Sequence, residues 1–291
     1  MYFSTTLTHS PLDAERSWNS DARITPYGYI EPITEIQSPR HSLTQRVLAN
    51  GYPDKENALW LDDAITAIWD TLDQKDLLEN TVIVFASDHG MEAKGTVYDG
   101  GTYTPAFVWW PDEFLAGELD IKLQNIDIFP TLIELVTGRD YSEVVSGLVD
   151  EFSGIDGISF KDQLVVPDLV KQNREYFYHE LGYTRSVSDG ALKYVAFRRD
   201  ETQIGNGDLS EYYHFSVRRG GVVALEQQQA AKFPHYFDSD QLYDLEIDPD
   251  SQVNFVDHPA YQGDLQRLKS KLAEFVEKFD HDFAEFTDMD F

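Results

Sequence analysis

The chain has no cysteine among its 291 residues, which excludes a disulfide framework, a thiolate metal site and a cysteine nucleophile supplied by this polypeptide. Positive charge is also scarce: 23 lysines and arginines stand against 52 aspartates and glutamates, giving a formal net charge of −29. Such an excess repels a phosphate backbone and an anionic lipid surface, so neither nucleic acid nor membrane is an expected partner, and most of the acid is read as solvated surface. There is no run of the roughly 18 apolar residues that a bilayer span requires. The opening residues, Met1 to Thr8, have neither a basic leader nor a small-residue cleavage site, so no signal peptide is expected in this chain and the compartment stays open.

What is present is enough apolar material for a sizeable core, with 42% hydrophobic and 13% aromatic residues. The first residues read as a β-branched and aromatic strand closed at His9-Ser10-Pro11, because proline stops regular structure. Ser17 to Pro53 is polar and broken by Pro26, Pro32, Pro39 and Pro53, which predicts a long irregular loop. From Asn57 to Leu72 the residues Leu61, Ile65, Ile68, Trp69 and Leu72 recur at helical spacing and predict an amphipathic helix. Thr81 to Ala86 is a continuous apolar run of the kind found in parallel strands covered on both faces, and Ser87-Asp88-His89-Gly90 follows it at once. Ala106 to Trp110 predicts a second buried strand, closed by Pro111, and Ile126 to Val136 a helix ended by Gly138.

After about Asp156 the pattern changes. Tyr176 to His179, Tyr183 to Val187 and Lys193 to Phe197 predict short strands of a small antiparallel sheet, with Asp189-Gly190 as the turn between the last two. Tyr261 to Phe279 predicts a helix with Leu265, Leu268, Leu272, Phe275, Val276 and Phe279 on one side. The expected fold class is α/β: part of a doubly wound mixed sheet with flanking helices over residues 1–155, then a small antiparallel sheet packed with a helix over residues 156–291.

In an open α/β sheet, ligands bind outside the carboxyl ends of the strands, and two predicted strands here end in residues suited to a charged group. His9 follows the first, and Asp88 and His89 follow the second. A carboxylate and an imidazole at neighbouring positions can both reach one cation where the chain leaves its strand. Lys94, in the glycine-flanked loop beyond, can neutralise an anion. His179 and His235 are read as structural, and the aromatics around Trp109, Trp110 and Tyr243 as core.

The order Thr81 to Ala86, Ser87-Asp88-His89-Gly90, Lys94-Gly95, Tyr98-Asp99-Gly100-Gly101, then Thr104 to Pro111, resembles the C-terminal signature of the sulfatase family within the alkaline-phosphatase superfamily. Thr8-His9-Ser10-Pro11-Leu12, the helix around Leu61-Asp62-Asp63, Ile126 to Leu132, Asp156-Gly157-Ile158-Ser159 and Gln241 to Pro249 are similar to further phrases of that family. The resemblance therefore covers nearly the whole chain, and it implies the C-terminal portion of an arylsulfatase-like, formylglycine-dependent hydrolase of sulfuric esters.

Carried over position by position, the resemblance makes Asp88 and His89 ligands of one divalent metal ion, and Lys94 and His9 catalytic contacts to the sulfate oxygens or the leaving group. Calcium is the metal implied first; the imidazole of His89, where many members carry asparagine, brings in manganese as the alternative. Members also begin with a strand bearing paired aspartates, followed by a Cys-x-Pro-x-Arg or Ser-x-Pro-x-Arg segment that furnishes the formylglycine. This sequence has neither, and Ser38-Pro39-Arg40 lacks the spacing and reads as loop. The resemblance thus implies an isolated chain without its own nucleophile, with an N-terminal sulfatase segment or a homo-oligomer partner covering an exposed sheet edge. The substrate implied is a sulfated small molecule or sulfated carbohydrate. Two further readings are a phosphonate or phosphate diester hydrolase of the same superfamily and a non-catalytic anion-binding protein.

Overall fold

The structure is a computed structural model that describes residues 1–5, 21, 23–25, 27–31, 37–52, 55–90, 92–147, 154–166, 174–198 and 229–279. It is a mixed α/β chain whose packing divides into two units, Met1–Val82 with Trp110–Asp112, and Ile83–Trp109 with Glu113–Phe291.

In the first unit, residues 1–5 are not in a strand and Met1 to Phe3 are exposed, so the strand expected before His9 is not seen there; His9 itself lies outside the described residues. The stretch predicted as irregular contains regular structure. β1 (Ile24–Thr25) and β2 (Gly28–Tyr29) form a two-residue hairpin, and α1 (Leu43–Ala49) follows a 3-10 turn over Arg40–Ser42. α1 exists because Leu43 and Val47, one turn apart, are both buried, a short apolar stripe that prolines on either side obscure in the sequence.

α2 (Glu56–Asp73) is the predicted amphipathic helix, and α1 packs against it. Its deepest stripe is Trp60, Ala64 and Ala67, while the larger Leu61, Ile65, Ile68 and Trp69 are half-buried beside it. Small residues in a buried stripe let neighbouring backbone approach closely. Arg46 clamps the pair with a two-pronged ion pair to Asp63 at 2.6 and 2.7 Å, and the Arg40 guanidinium stacks over Trp60 at 4.6 Å. Ser38-Pro39-Arg40 is therefore the entry to a helix packed on α2.

In the second unit, β3 (Ile83–Ala86) pairs antiparallel with β4 (Ala106–Trp109) in the register Ile83 to Trp109 and Ala86 to Ala106. The sequence suggested a parallel strand covered on both faces; among the described residues its partner is antiparallel, and both strands are half-buried or exposed. The apolar run marks a strand that wants cover, but pairing direction is set by how the intervening loop returns the chain, which periodicity does not encode. Phe85 and Phe107 stack across the pair at 5.3 Å.

α4 (Ile128–Thr137), numbered after the helical turn α3 (Asp99–Thr102), ends at Gly138 in the left-handed conformation, φ 66°. Asp127 just before it is fully buried. Its carboxylate accepts from the backbone N–H of Gln124 and Ile158 and forms a buried ion pair with Arg174. Short helices α5 (Tyr141–Ser146) and α6 (Lys161–Val165) follow.

The C-terminal sheet is four-stranded and antiparallel in the order β5 (Phe177–Leu181), β6 (Thr184–Ser188), β7 (Leu192–Phe197), β8 (Asp240–Asp244). Asp189 closes the β6–β7 turn by accepting from the N–H groups of Ala191 and Leu192, and Gly190 supplies the positive φ of 98°. Strand alternation then makes two different faces. Val187, Tyr194, Ala196 and Leu242 meet Leu265, Leu268 and Leu272 of α7 (Gln262–Phe279), each leucine worth about 2 kcal/mol in burial. The opposite face, with Val195, Phe197 and Tyr243, packs on Ala93, Val97 and Tyr98 of the loop that follows β3. No described helix is long and apolar enough to cross a membrane.

Candidate functional site

The loop from Ser87 to Pro105 joins β3 to β4 and folds back on itself through its backbone. The N–H of Gly90 donates to Gly101 O at 2.9 Å, that of Ala93 to Gly100 O at 3.0 Å, and that of Ser87 to Pro105 O at 3.2 Å. These approaches require glycine: a Cβ on Gly90 would stand 2.3 Å from Gly100 O, and one on Gly101 2.4 Å from Ala93 O.

Asp88 and His89 sit at the mouth of this loop. The Asp88 side chain is 87% exposed and that of His89 only 25%. His89 Nδ1 lies 2.9 Å from Gly90 O, and because a carbonyl can only accept, Nδ1 carries the proton and Nε2 of the neutral ring keeps its lone pair. That Nε2 stands 3.5 Å from Asp88 Oδ2. Two electron-pair donors so placed match neighbouring ligands of one cation, which at bond lengths of about 2.0–2.4 Å lie roughly 3 Å apart. Among the described residues no three histidine, aspartate or glutamate side chains gather to enclose a metal, so this pair is a partial donor set.

Lys94, half-buried, is on the same loop, five positions beyond His89; its carbonyl accepts from Gln229 Nε2 at 3.1 Å. The structure thus places Asp88, His89 and Lys94 on one backbone-closed loop, while His9 is outside the described residues.

Sequence reasoning missed Lys193 and the hydrogen-bonding role of Gln241 beneath that loop. Lys193 of β7, 1% exposed, reaches across to donate to Val97 O at 3.0 Å and to pair with Asp99. Burial holds its ammonium below the usual lysine range, and Asp99 opposes that shift. His179 of β5 shares the same sheet face, two strands away; burial first, and the charge of Lys193 second, push it down to about 3, so it is neutral near pH 7. Tyr98 lies on Phe233 with ring centroids 4.1 Å apart and donates to Gln241 Oε1 at 2.7 Å. The available signal was period-two alternation: Lys193 shares the parity of Val195 and Phe197, which marks it as inward-facing.

A family model described as Sulfatase matches residues 1–138, a span containing the whole Asp88–Lys94 loop. An ulvan-active sulfatase of Formosa agariphila is 26% identical over 224 residues, covering 74% of this chain and 36% of that protein. An arylsulfatase of Hemicentrotus pulcherrimus is 30% identical over 255 residues, covering 78% of this chain and 43% of the relative. The chain therefore spans well under half the length of these relatives. Among solved structures, one determined with its substrate D-glucosamine-2-N,6-O-disulfate superposes with a TM-score of 0.52 at 19% identity, covering 77% of this chain and 40% of that one. The phosphonate monoester hydrolase of Agrobacterium radiobacter also gives 0.52 at 19% identity, over 80% of this chain and 41% of that one. The matched span, residues 1–138, holds the loop that carries the carboxylate, the imidazole and the lysine, and over that span the chain matches the sulfatase family.

Proposed function

We propose that this chain supplies the metal-binding and anion-neutralising half of a sulfuric-ester hydrolase site. The observation that carries the reading is the facing pair of His89 Nε2 and Asp88 Oδ2 at 3.5 Å, with the other ring nitrogen anchored on Gly90 O. A lone pair facing a carboxylate is unfavourable until a cation lies between them, and the backbone carbonyl behind the ring fixes the tautomer a metal ligand needs.

Asp88 and His89 would hold one divalent ion, calcium or, given the imidazole, manganese. When bound, such an ion polarises the sulfuryl group and steadies the attacking oxygen. Lys94 offers an ammonium to the sulfate oxygens, and His9 a proton or hydrogen bond to the leaving oxygen, where negative charge gathers as the ester breaks. Sulfatases generally use a metal and a formylglycine; with no cysteine and no Ser-x-Pro-x-Arg segment, the attacking group has to come from outside this sequence. The names of the relatives support a sulfated carbohydrate as substrate: one acts on ulvan and one was captured with a disulfated glucosamine.

The test is hydrolysis of p-nitrophenyl sulfate and of an aryl phosphonate, with calcium or manganese, by this chain alone and by the chain joined behind an N-terminal sulfatase segment bearing matured Cys-x-Pro-x-Arg. Sulfate turnover by the joined protein, abolished in Asp88→Ala and reduced at least about a hundredfold in Lys94→Ala, is expected. Turnover by this chain alone means another nucleophile and overturns the mechanism. Preference for the phosphonate overturns the substrate class.

A further inference from the structure

We infer that Lys193, on the C-terminal sheet, is a positioning residue for the site loop: its ammonium fixes Val97 and Asp99 and so sets where His89 points. The inference rests on the reading of Asp88 and His89 as cation ligands, and it assigns a role to a residue 104 positions beyond His89 in the sequence.

The path is continuous. Lys193 Nζ donates to Val97 O at 3.0 Å and is paired with Asp99. Asp99 begins the helical turn that presents Gly100 O and Gly101 O, and those two carbonyls accept from the N–H groups of Ala93 and Gly90. Gly90 O in turn receives the Nδ1 proton of His89. Each link is a directed hydrogen bond or a backbone too crowded to admit a Cβ at Gly90 or Gly101. Ala93 and Val97 add apolar contact with the sheet, which adheres without fixing a register, and Tyr98 adds one hydrogen bond to Gln241, so the Lys193 ammonium is the charged tether among these links.

A purely stabilising role predicts something different. A buried ammonium is expensive to desolvate, and a hydrophobic side chain of similar volume in its place is often neutral or favourable to stability. Asp99, 39% exposed, can be solvated by water once its partner is gone. Lysine at this position therefore makes sense through where it holds the loop, since the burial of charge alone gains the fold little.

The experiment compares the unaltered chain with Lys193→Met, Asp99→Asn and Asp88→Ala by thermal unfolding, hydrogen–deuterium exchange and calorimetric titration with Mn2+. In Lys193→Met the amides of Gly90, Ala93 and Gly101 should exchange about tenfold faster and Mn2+ bind about tenfold more weakly, with β5, β6 and α7 protected as before. Unchanged protection of those three amides, or a uniform loss across the sheet and α7, overturns the inference. Should Lys193→Met fail to fold, Asp99→Asn, which keeps the buried ammonium, decides it: faster loop exchange by about threefold supports the tether and unchanged exchange overturns it. Mn2+ binding that survives Asp88→Ala sinks the cation reading by itself, while the loop exchange of the other two variants still decides whether Lys193 tethers the loop.

Discussion

The phenol hydroxyl of Tyr98 donates to the side-chain oxygen of Gln241 at 2.7 Å, joining residues 143 positions apart. The same oxygen accepts from Tyr243 at 2.8 Å, so the site loop and strand β8 share one buried acceptor. Burial raises both phenols far above the usual tyrosine range, which keeps them protonated and donating at any physiological pH. Tyr98→Phe removes one donor and leaves Gln241 its other partner. The expected cost is about 1 kcal/mol, a fall in Tm of about 2 °C. Tyr98→Ala, which also empties the stack on Phe233, should cost about 3–5 kcal/mol. Thermal unfolding of the two variants checks the ratio, and equal losses would mean that packing contributes nothing beyond the hydrogen bond.

Gly101→Ala places a Cβ 2.4 Å from Ala93 O and 2.9 Å from Thr96 O. Both obstacles are backbone, so the loop has to open, at a cost of about 1–3 kcal/mol. Limited proteolysis within 87–105 should accelerate at least about fivefold. Gly263→Ala, at a glycine whose Cβ would meet nothing within 4 Å, serves as the control that leaves the loop resistant.

Asp127 is fully buried and ion-paired with Arg174, and it also accepts from the N–H groups of Gln124 and Ile158. Asp127→Ala strands a buried guanidinium and two N–H donors, which is expected to cost about 3–5 kcal/mol. Denaturant unfolding measures it, and a loss under about 1 kcal/mol would show that water replaces the carboxylate.

His179 contributes a pH dependence whose sign is fixed by its environment. Its folded value is lowered from 6.5 to about 3, so between those limits the unfolded chain binds a proton that the folded chain refuses. Stability from this group is complete above about pH 6.5 and is lost as the pH falls towards 3, at no more than about 1.4 kcal/mol per pH unit. Lys193 and Arg174 reinforce the shift and Asp99 opposes it. Tm measured from pH 7 to pH 5 should fall less steeply in His179→Asn than in the unaltered chain; parallel curves would mean that His179 is protonated in the folded state.

Local signals carried much of this protein. The strand at Lys193 to Phe197 came from its composition, and α7 and the helix ended by Gly138 came directly from their spacing and stop residue. The helix at Leu43–Ala49 was hidden because its two buried residues, Leu43 and Val47, make too short a stripe to outweigh the surrounding prolines. Strand β8 was equally hidden: Gln241, Leu242 and Tyr243 are all buried, and the polar Gln241 is accommodated there by hydrogen bonds that include the hydroxyls of Tyr98, from the site loop, and Tyr243.

The sequence by itself determined the chemistry on offer and its order: no thiol, one Asp88-His89 pair after an apolar run, Lys94 close behind, and glycines at 90, 100 and 101. Those are properties of residue type and near spacing, which one strand and one loop can express alone. Only the tertiary structure decided what lies beneath the loop. Lys193 and Gln241 reach it because strand alternation turns them to the face on which the loop packs, and a buried lysine finds its carboxylate through sheet register, a relation between distant residues that no local pattern records.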